Sequence, residues 1–223
     1  MSLMIKICGL TEPVGLAAAL EGGADFLGFI FCEKGVSRCY VEPEEAAALL
    51  EACPHPVAAS FPKIVGVFRN QSNADILRVL DHVALDYLQL HGDETPARVA
   101  EIKRVTGKPV IKVFRVAAQE HLAALPDYAS VADMYLFDTL TSGPTAGGTG
   151  KSFDWNLMRS LRIEKEWLLA GGLNASNLAQ AVATSGARIV DVSSGVEKPS
   201  AAHERRIKDP EKVRTLLRLA HNL

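Results

Sequence analysis

The run from Met4 to Phe31, MIKICGLTEPVGLAAALEGGADFLGFIF, decides the fold. It opens on a short apolar segment, Met4–Cys8, and closes on a second, Phe26–Phe31. Between them Thr11-Glu-Pro-Val carries a helix start, with Thr11 as the expected N-cap and proline in the first turn. An alanine-rich stretch follows. Two strands joined through a helical return run parallel, and such a crossover takes roughly 30 residues where a hairpin takes only a few. The unit then recurs. Further strand candidates are Ile64–Phe68, Tyr87–Leu90, Val110–Phe114, Met134–Phe137, Trp167–Ala170 and Ile189–Val192. The ends of the strands fall at intervals averaging about 26 residues, which excludes hairpins. Their nearly continuous apolar character suits strands covered on both faces. Helix starts are expected at Asp93-Glu-Thr-Pro-Ala, stopping at Gly107-Lys-Pro, at Asn174-Ala-Ser-Asn and at Asp209-Pro-Glu-Lys.

Eight β/α units in 223 residues fit a closed (β/α)8 barrel. An open doubly wound sheet shares the alternation, and periodicity alone does not separate the two. No linker or composition break divides the chain, so a single domain is expected over 4–223, with 1–3 read as a vector-derived leader. Hydrophobic residues make up 48% and charged residues 22%, ample for a core and incompatible with overall disorder. A formal net charge of −2 gives no electrostatic case for nucleic acid or an anionic membrane. Arg205, Arg206 and Lys208 read as a solvated loop. No apolar run is long enough to span a bilayer. The four cysteines, Cys8, Cys32, Cys39 and Cys53, lack zinc or disulfide-framework spacing, and a reduced, cytoplasmic protein is expected. Cys32, Cys39 and Cys53 are taken as structural or incidental.

Barrel enzymes place their chemistry where strands end and βα loops begin. The polar residues at those points are Cys8, Arg38, Gln89, His91, Asp138, Gly171, Gly172, Asp191, Ser193, Ser194 and Gly195. They come from distant parts of the chain, yet a barrel would gather them on one rim. Gly171-Gly172 after strand seven and Ser193-Ser-Gly195 after strand eight read as a phosphate site. Barrels commonly build one from these two loops, using backbone N–H groups and helix N-termini. Cys8 and Asp138 are the candidate acid–base pair, and Gln89, His91 and Asp191 are candidates to contact the substrate. Lys6 shares the Cys8 face and is expected to point into the barrel beneath the thiol, without acting on it directly. No cluster at ligand spacing suggests a metal.

Thr145-Ala-Gly-Gly-Thr-Gly-Lys-Ser152 nearly spells a nucleotide-binding P-loop, but Thr145 stands where the first glycine belongs. A P-loop joins its strand directly to a helix, whereas this strand ends about ten residues earlier. The glycine-rich stretch is read instead as a lid over the site.

Taken in order, these motifs resemble phosphoribosylanthranilate isomerase, a ribulose-phosphate-binding TIM barrel of tryptophan biosynthesis. The resemblance spans nearly the whole chain. It rests on Lys6-Ile-Cys-Gly-Leu-Thr, Ala24-Asp-Phe-Leu-Gly-Phe-Ile-Phe, Val65-Gly-Val-Phe-Arg-Asn and Leu88-Gln-Leu-His-Gly-Asp-Glu. It continues in Leu136-Phe-Asp-Thr, Gly147-Gly-Thr-Gly-Lys-Ser-Phe-Asp-Trp, Ala170-Gly-Gly-Leu-Asn-Ala-Ser-Asn and Asp191-Val-Ser-Ser-Gly-Val-Glu. It implies Cys8 as general base, Asp138 as general acid and Arg38 on the anthranilate carboxylate. Gly171, Gly172, Ser193, Ser194 and Gly195 would hold the phosphate. The implied Amadori rearrangement needs one acid and one base, and no metal, nucleotide or redox cofactor. The implied partner is a small phosphorylated substrate, with the chain a monomer or homodimer.

Two stretches depart from the family pattern. Cys32-Glu-Lys-Gly-Val-Ser-Arg-Cys-Tyr lacks the usual Ser-Pro-Arg, and Pro199-Ser-Ala-Ala-His-Glu-Arg-Arg-Ile-Lys-Asp is longer than the usual Pro-Gly-x-Lys-Asp. Two other readings stand beside this one. The related histidine-pathway isomerase, or a dual-substrate version, carries Asp where this chain has Cys8 and shows a half-barrel repeat. A non-catalytic phosphate-binding barrel would not need Cys8 and Asp138 together.

Overall fold

A computed structural model describes residues 2–32, 35–53, 61–140, 152–201 and 204–223. Eight parallel strands close into a barrel in sequence order: β1 (Met4–Cys8), β2 (Phe26–Ile30), β3 (Lys63–Phe68), β4 (Tyr87–Leu90), β5 (Val110–Val116), β6 (Met134–Thr139), β7 (Trp167–Leu169) and β8 (Ile189–Val192). The β1–β8 pairing, with Met4 opposite Ile189 and Lys6 opposite Asp191, closes the ring and excludes the open sheet. Every expected strand is present, with ends shifted by at most two residues.

The returns are less uniform than the strands. Helices α1 (Pro13–Glu21), α2 (Pro43–Ala52), α3 (Asn73–His82), α4 (Pro96–Thr106), α5 (Asn156–Arg159), α6 (Leu178–Ser185) and α7 (Pro210–Ala220) lie outside the barrel. Between β5 and β6 the chain makes only two 3-10 turns, Gln119–Leu122 and Leu125–Tyr128. The α1 cap is Glu12, whose carboxylate accepts from the Val14 and Gly15 N–H groups. The expected cap, Thr11, instead donates its hydroxyl to the Arg206 carbonyl, a partner no local rule supplies. Thr95 and Asp209 cap α4 and α7, and Gly107 ends α4 in the left-handed conformation that favours glycine.

Alternation within each strand sorts the side chains. Phe26, Val65, Ile111, Met134, Leu136, Leu168 and Ile189 fill the barrel interior, while Ile5, Ile7, Leu27, Phe29 and Phe137 pack against the helices. The N-terminal end is clamped by a repeated device. Asp25, Asp86 and Asp133 each stand immediately before an even-numbered strand and accept from the first N–H groups of the preceding strand, at Ile5, Ile64 and Val110, at 2.7–2.8 Å. That leaves the opposite, C-terminal end for the chemistry. The stretch expected to form a lid, with the near-P-loop residues, falls at 141–151, outside the described residues; Ser152, Phe153 and Asp154, which follow it, are not helical. No helix among the described residues is long and apolar enough to cross a membrane.

Candidate active site

A cleft of about 750 Å³ opens at the C-terminal mouth of the barrel. Cys8, Arg38, Gln89, His91, Asp138, Gly171, Gly172, Asp191, Ser193 and Ser194 all lie in its wall. Gly195 does not; a Cβ there would fall 1.9 Å from the Leu173 carbonyl oxygen, so it lets the loop after β8 pack on the loop after β7. Among the described residues no three His, Cys, Asp or Glu side chains are arranged to hold a metal ion.

Cys8 ends β1, and the backbone turns away at once through Gly9, at φ +75°. The N–H groups of Gly9 and Leu10 both donate to the Gly28 carbonyl, which fixes the turn. Gly28 itself must lack a side chain, because a Cβ would lie 2.8 Å from Cys8 Sγ and 3.1 Å from Lys6 Cε. Lys6 is completely buried, and its Nζ stands 2.8 Å from Asp191 Oδ1. Burial pushes the Cys8 thiol above its ordinary value; the Lys6 ammonium pulls it down and Asp191 pushes it up again. The expectation that Lys6 would not act on the thiol is therefore corrected. Burial alone would discharge Lys6, but Asp191 and Cys8 outweigh it and hold the ammonium above its ordinary value.

Asp138 projects from β6, three strands from β1 around the ring. Its Oδ1 accepts from the Thr139 N–H at 2.8 Å, and its Oδ2 lies 3.3 Å from His91 Nε2. His91 Nδ1 in turn lies 3.3 Å from Gln89 Nε2. Gln89 Oε1 is buried with no partner among the described residues. A chain of polar groups thus runs from β4 to the carboxyl on β6.

The phosphate-type loops differ from expectation in one respect. Neither runs straight into an α-helix: α6 starts at Leu178, and Ser194–Val196 forms only a 3-10 turn. The loop after β7 uses peptide orientation instead. Gly171 and Gly172 have φ of +92° and +70°, and a Cβ on Gly171 would meet Thr139 Oγ1 at 2.1 Å. The Gly172 carbonyl accepts from the side-chain amides of Asn174 and Asn177. This fixes the Gly172–Leu173 peptide at the edge of the cleft that both residues line.

Behind Ser193 lies a charge cluster that the sequence reading assigned to a solvated loop. Lys208 is 1% exposed, and its Nζ donates to Ser193 Oγ at 3.1 Å and to Glu197 Oε1 at 3.2 Å. Arg206 donates to Glu197 Oε2 at 2.8 Å and lines the cleft. Cys39 Sγ, 3.5 Å from Glu197 Oε1, is pushed up to about 11, mainly by burial. Burial raises the Glu197 carboxyl, but Lys208 and Arg206 outweigh it and hold it below the usual range. A depressed carboxylate contributes stability that is complete above the ordinary glutamate value of about 4.3 and is lost as pH falls through the folded value. The melting temperature of the parent should therefore fall more steeply below that pH than that of Glu197→Gln, which should melt lower at neutral pH because Lys208 is left buried without its carboxylate. Parallel acid slopes in thermal melts would refute this.

Comparison with known proteins then decides the family. A family model described as N-(5'-phosphoribosyl)anthranilate (PRA) isomerase matches residues 5–218. The curated N-(5'-phosphoribosyl)anthranilate isomerase of Paracoccus denitrificans is 46% identical over 219 residues, covering 97% of this chain and 96% of its own. The chain belongs to the PRA isomerase family.

Solved members superpose along the whole barrel. A phosphoribosylanthranilate isomerase from Thermotoga maritima matches with a TM-score of 0.81 at 31% identity, covering 99% of this chain and all of its own. A PRA isomerase in complex with reduced 1-(o-carboxyphenylamino)-1-deoxyribulose 5-phosphate matches with a TM-score of 0.78 at 30% identity, again over 99% of this chain and all of that one.

The two stretches that depart from the PRA isomerase pattern meet in space. The Arg206 N–H donates to the Arg38 carbonyl at 3.0 Å, Arg38 Nη1 to the Ala201 carbonyl at 2.9 Å, and Arg205 Nη2 to the Tyr40 carbonyl at 3.1 Å. Each departure is thus the partner of the other. The longer loop is pinched at its base by the Glu197–Lys208 bridge, with Lys198 N donating to Ile207 O and Asp209 N to Val196 O. Nothing in the sequence sets Lys208 apart from Arg205 and Arg206; the bridge is what places it beside Ser193.

Proposed function

We propose that this chain isomerises N-(5'-phosphoribosyl)anthranilate to 1-(o-carboxyphenylamino)-1-deoxyribulose 5-phosphate, with Asp138 as general acid and Cys8 as general base. The carrying observation is that Cys8 on β1 and Asp138 on β6 share one cleft with the glycine and serine loops. Asp138 gives a proton to the furanose ring oxygen, the ring C–O bond breaks, and the anilino nitrogen lone pair forms the iminium. Cys8, as thiolate, takes the proton from C2′, and the electron pair left behind neutralises the iminium to an enolamine that tautomerises to the ketone.

The remaining polar groups sort by position. The phosphate rests against Gly171, Gly172, Ser193 and Ser194, where backbone N–H groups and hydroxyls supply donors and Lys208 supplies positive charge from behind. Arg38 faces the anthranilate carboxylate; one of its five donors is used on Ala201, which orients the others. Gln89 Oε1, a buried acceptor without a partner among the described residues, suits a ribose hydroxyl. His91 and Asp191 complete the wall, Asp191 through its hold on Lys6. The reaction belongs to tryptophan biosynthesis, and its dependence on a free thiol suits the cytoplasm.

Incubation with freshly generated phosphoribosylanthranilate tests the activity, read as loss of its anthranilate-type fluorescence. Loss no faster than the enzyme-free control, or turnover only of the histidine-pathway aminoaldose, would sink the assignment. For the phosphate end, Ser194→Asp sets a like charge beside the substrate and should raise KM by about tenfold or more, since a loss of 1.4 kcal/mol is already a factor of ten. An unchanged KM would move the phosphate elsewhere.

A further inference from the structure

Lys6 is a buried charge at the catalytic end for which the acid–base scheme has no use. The barrel interior into which it projects is otherwise filled largely by apolar side chains, among them Phe26, Val65 and Ile189. A buried ammonium is expensive, and an apolar side chain of similar size is often at least as stable in such a place. Its alkyl stem passes over Gly28, where a Cβ would meet both Lys6 Cε and Cys8 Sγ. The ammonium then has Asp191 Oδ1 at 2.8 Å, while its Cε and the thiol sulfur both stand over Gly28. Closure of the barrel sets this geometry, because Lys6 and Asp191 are register partners across the β1–β8 seam.

We infer that Lys6, anchored by Asp191, is a positioning residue that acts as the built-in counter-ion of the Cys8 thiolate. With the thiol protonated, the Lys6–Asp191 pair is neutral and self-contained. When the thiol proton leaves to solvent, the ammonium bridges two anions and the site carries one net negative charge. Lys208, reaching in ahead of α7, offsets that charge, while Cys39, after β2, stays a neutral thiol. Substrate reaches Cys8 but not Lys6, which is sealed beneath it, so Lys6 touches no reacting atom. Asp191 keeps the ammonium charged and in place; without it, burial would favour the neutral amine, which cannot stabilise a thiolate.

The inference rests on Cys8 being the base, and the experiment keeps the two apart by reading the thiol directly. The rate of carboxamidomethylation by iodoacetamide is followed from pH 6 to 10, with Cys8 identified by peptide mapping. In Lys6→Met the Cys8 profile should move to higher pH by about one unit or more, a slowing of about tenfold at neutral pH. In turnover, kcat should fall by a similar factor with KM nearly unchanged. Lys6→Arg should recover part of both. If Lys6→Met does not fold, Lys6→Met/Asp191→Asn removes both charges together and leaves no orphaned carboxylate. It should shift the profile in the same direction by less, because the lost repulsion from Asp191 partly compensates. Profiles that superimpose on the parent in whichever variant folds, whatever their stability, would overturn the counter-ion role. A shifted profile alongside a fully active Cys8→Ser would instead overturn Cys8 as base and leave the counter-ion standing.

Discussion

Cys8→Ser will lower kcat by about 10²–10⁴-fold, the usual weight of a general base, while KM changes little. Serine matches cysteine closely in size, so the Gly28 notch and the Gly9 turn accommodate it. What it loses is an accessible anion, since a hydroxyl beside the same ammonium remains a far weaker acid than a thiol. The structure adds a pH signature. Burial raises the thiol, so its thiolate is the minor form at neutral pH and grows about tenfold per unit as pH rises toward the thiol's own value. Alkylation of Cys8 in the free enzyme should therefore accelerate steadily from pH 7 upward and be slowed by a substrate analogue. Cys39, whose thiol is pushed up to about 11, should be alkylated only slowly at neutral pH. If Cys8→Ser stays within about threefold of the parent kcat with chemistry rate-limiting, Cys8 is not the base.

Asp138→Asn should cost a comparable factor in kcat, about 10²–10⁴, by removing the ring-opening proton donor. The substitution is close to isosteric: an asparagine carbonyl can still accept from the Thr139 N–H, so the end of β6 should keep its shape. The position beside His91 Nε2 would hold an amide in place of a carboxyl oxygen, which preserves bulk but not proton transfer. Steady-state kinetics should show the loss in kcat. Pre-steady-state mixing with substrate should show no build-up of ring-opened intermediate, because the blocked step comes first. A variant turning over at close to the parent rate would remove Asp138 from the acid role.

Much of this site is legible along the chain, and the reason is local. A parallel strand covered on both faces must be apolar over its length, and the first polar residue at its C-terminal end marks the rim. Cys8, Gln89, Asp138 and Asp191 mark it, and all stand in one cleft. Helix starts were less secure. Thr11 and Glu12 compete for the same cap, and the choice turns on Arg206, whose carbonyl claims the threonine hydroxyl. Similarly, Asn174-Ala-Ser-Asn looked like a helix start, but its asparagines bend back to the Gly172 carbonyl and delay α6 to Leu178.

By itself the sequence determined the number of strands, their parallel sense and the residues at their tips, because period and apolar run length are properties of short segments. Closure of the ring was decided only by the tertiary structure, since the alternation that makes a barrel also makes an open sheet. With closure came the contacts that set the chemistry. Lys6 and Asp191, 185 residues apart, meet only because β1 pairs with β8. Arg206 and Lys208 turn from surface loop to site only because Glu197, buried by the turn after β8, draws them in. A charge in a sequence is solvated unless something buries it, and what buries these lies on distant strands and loops.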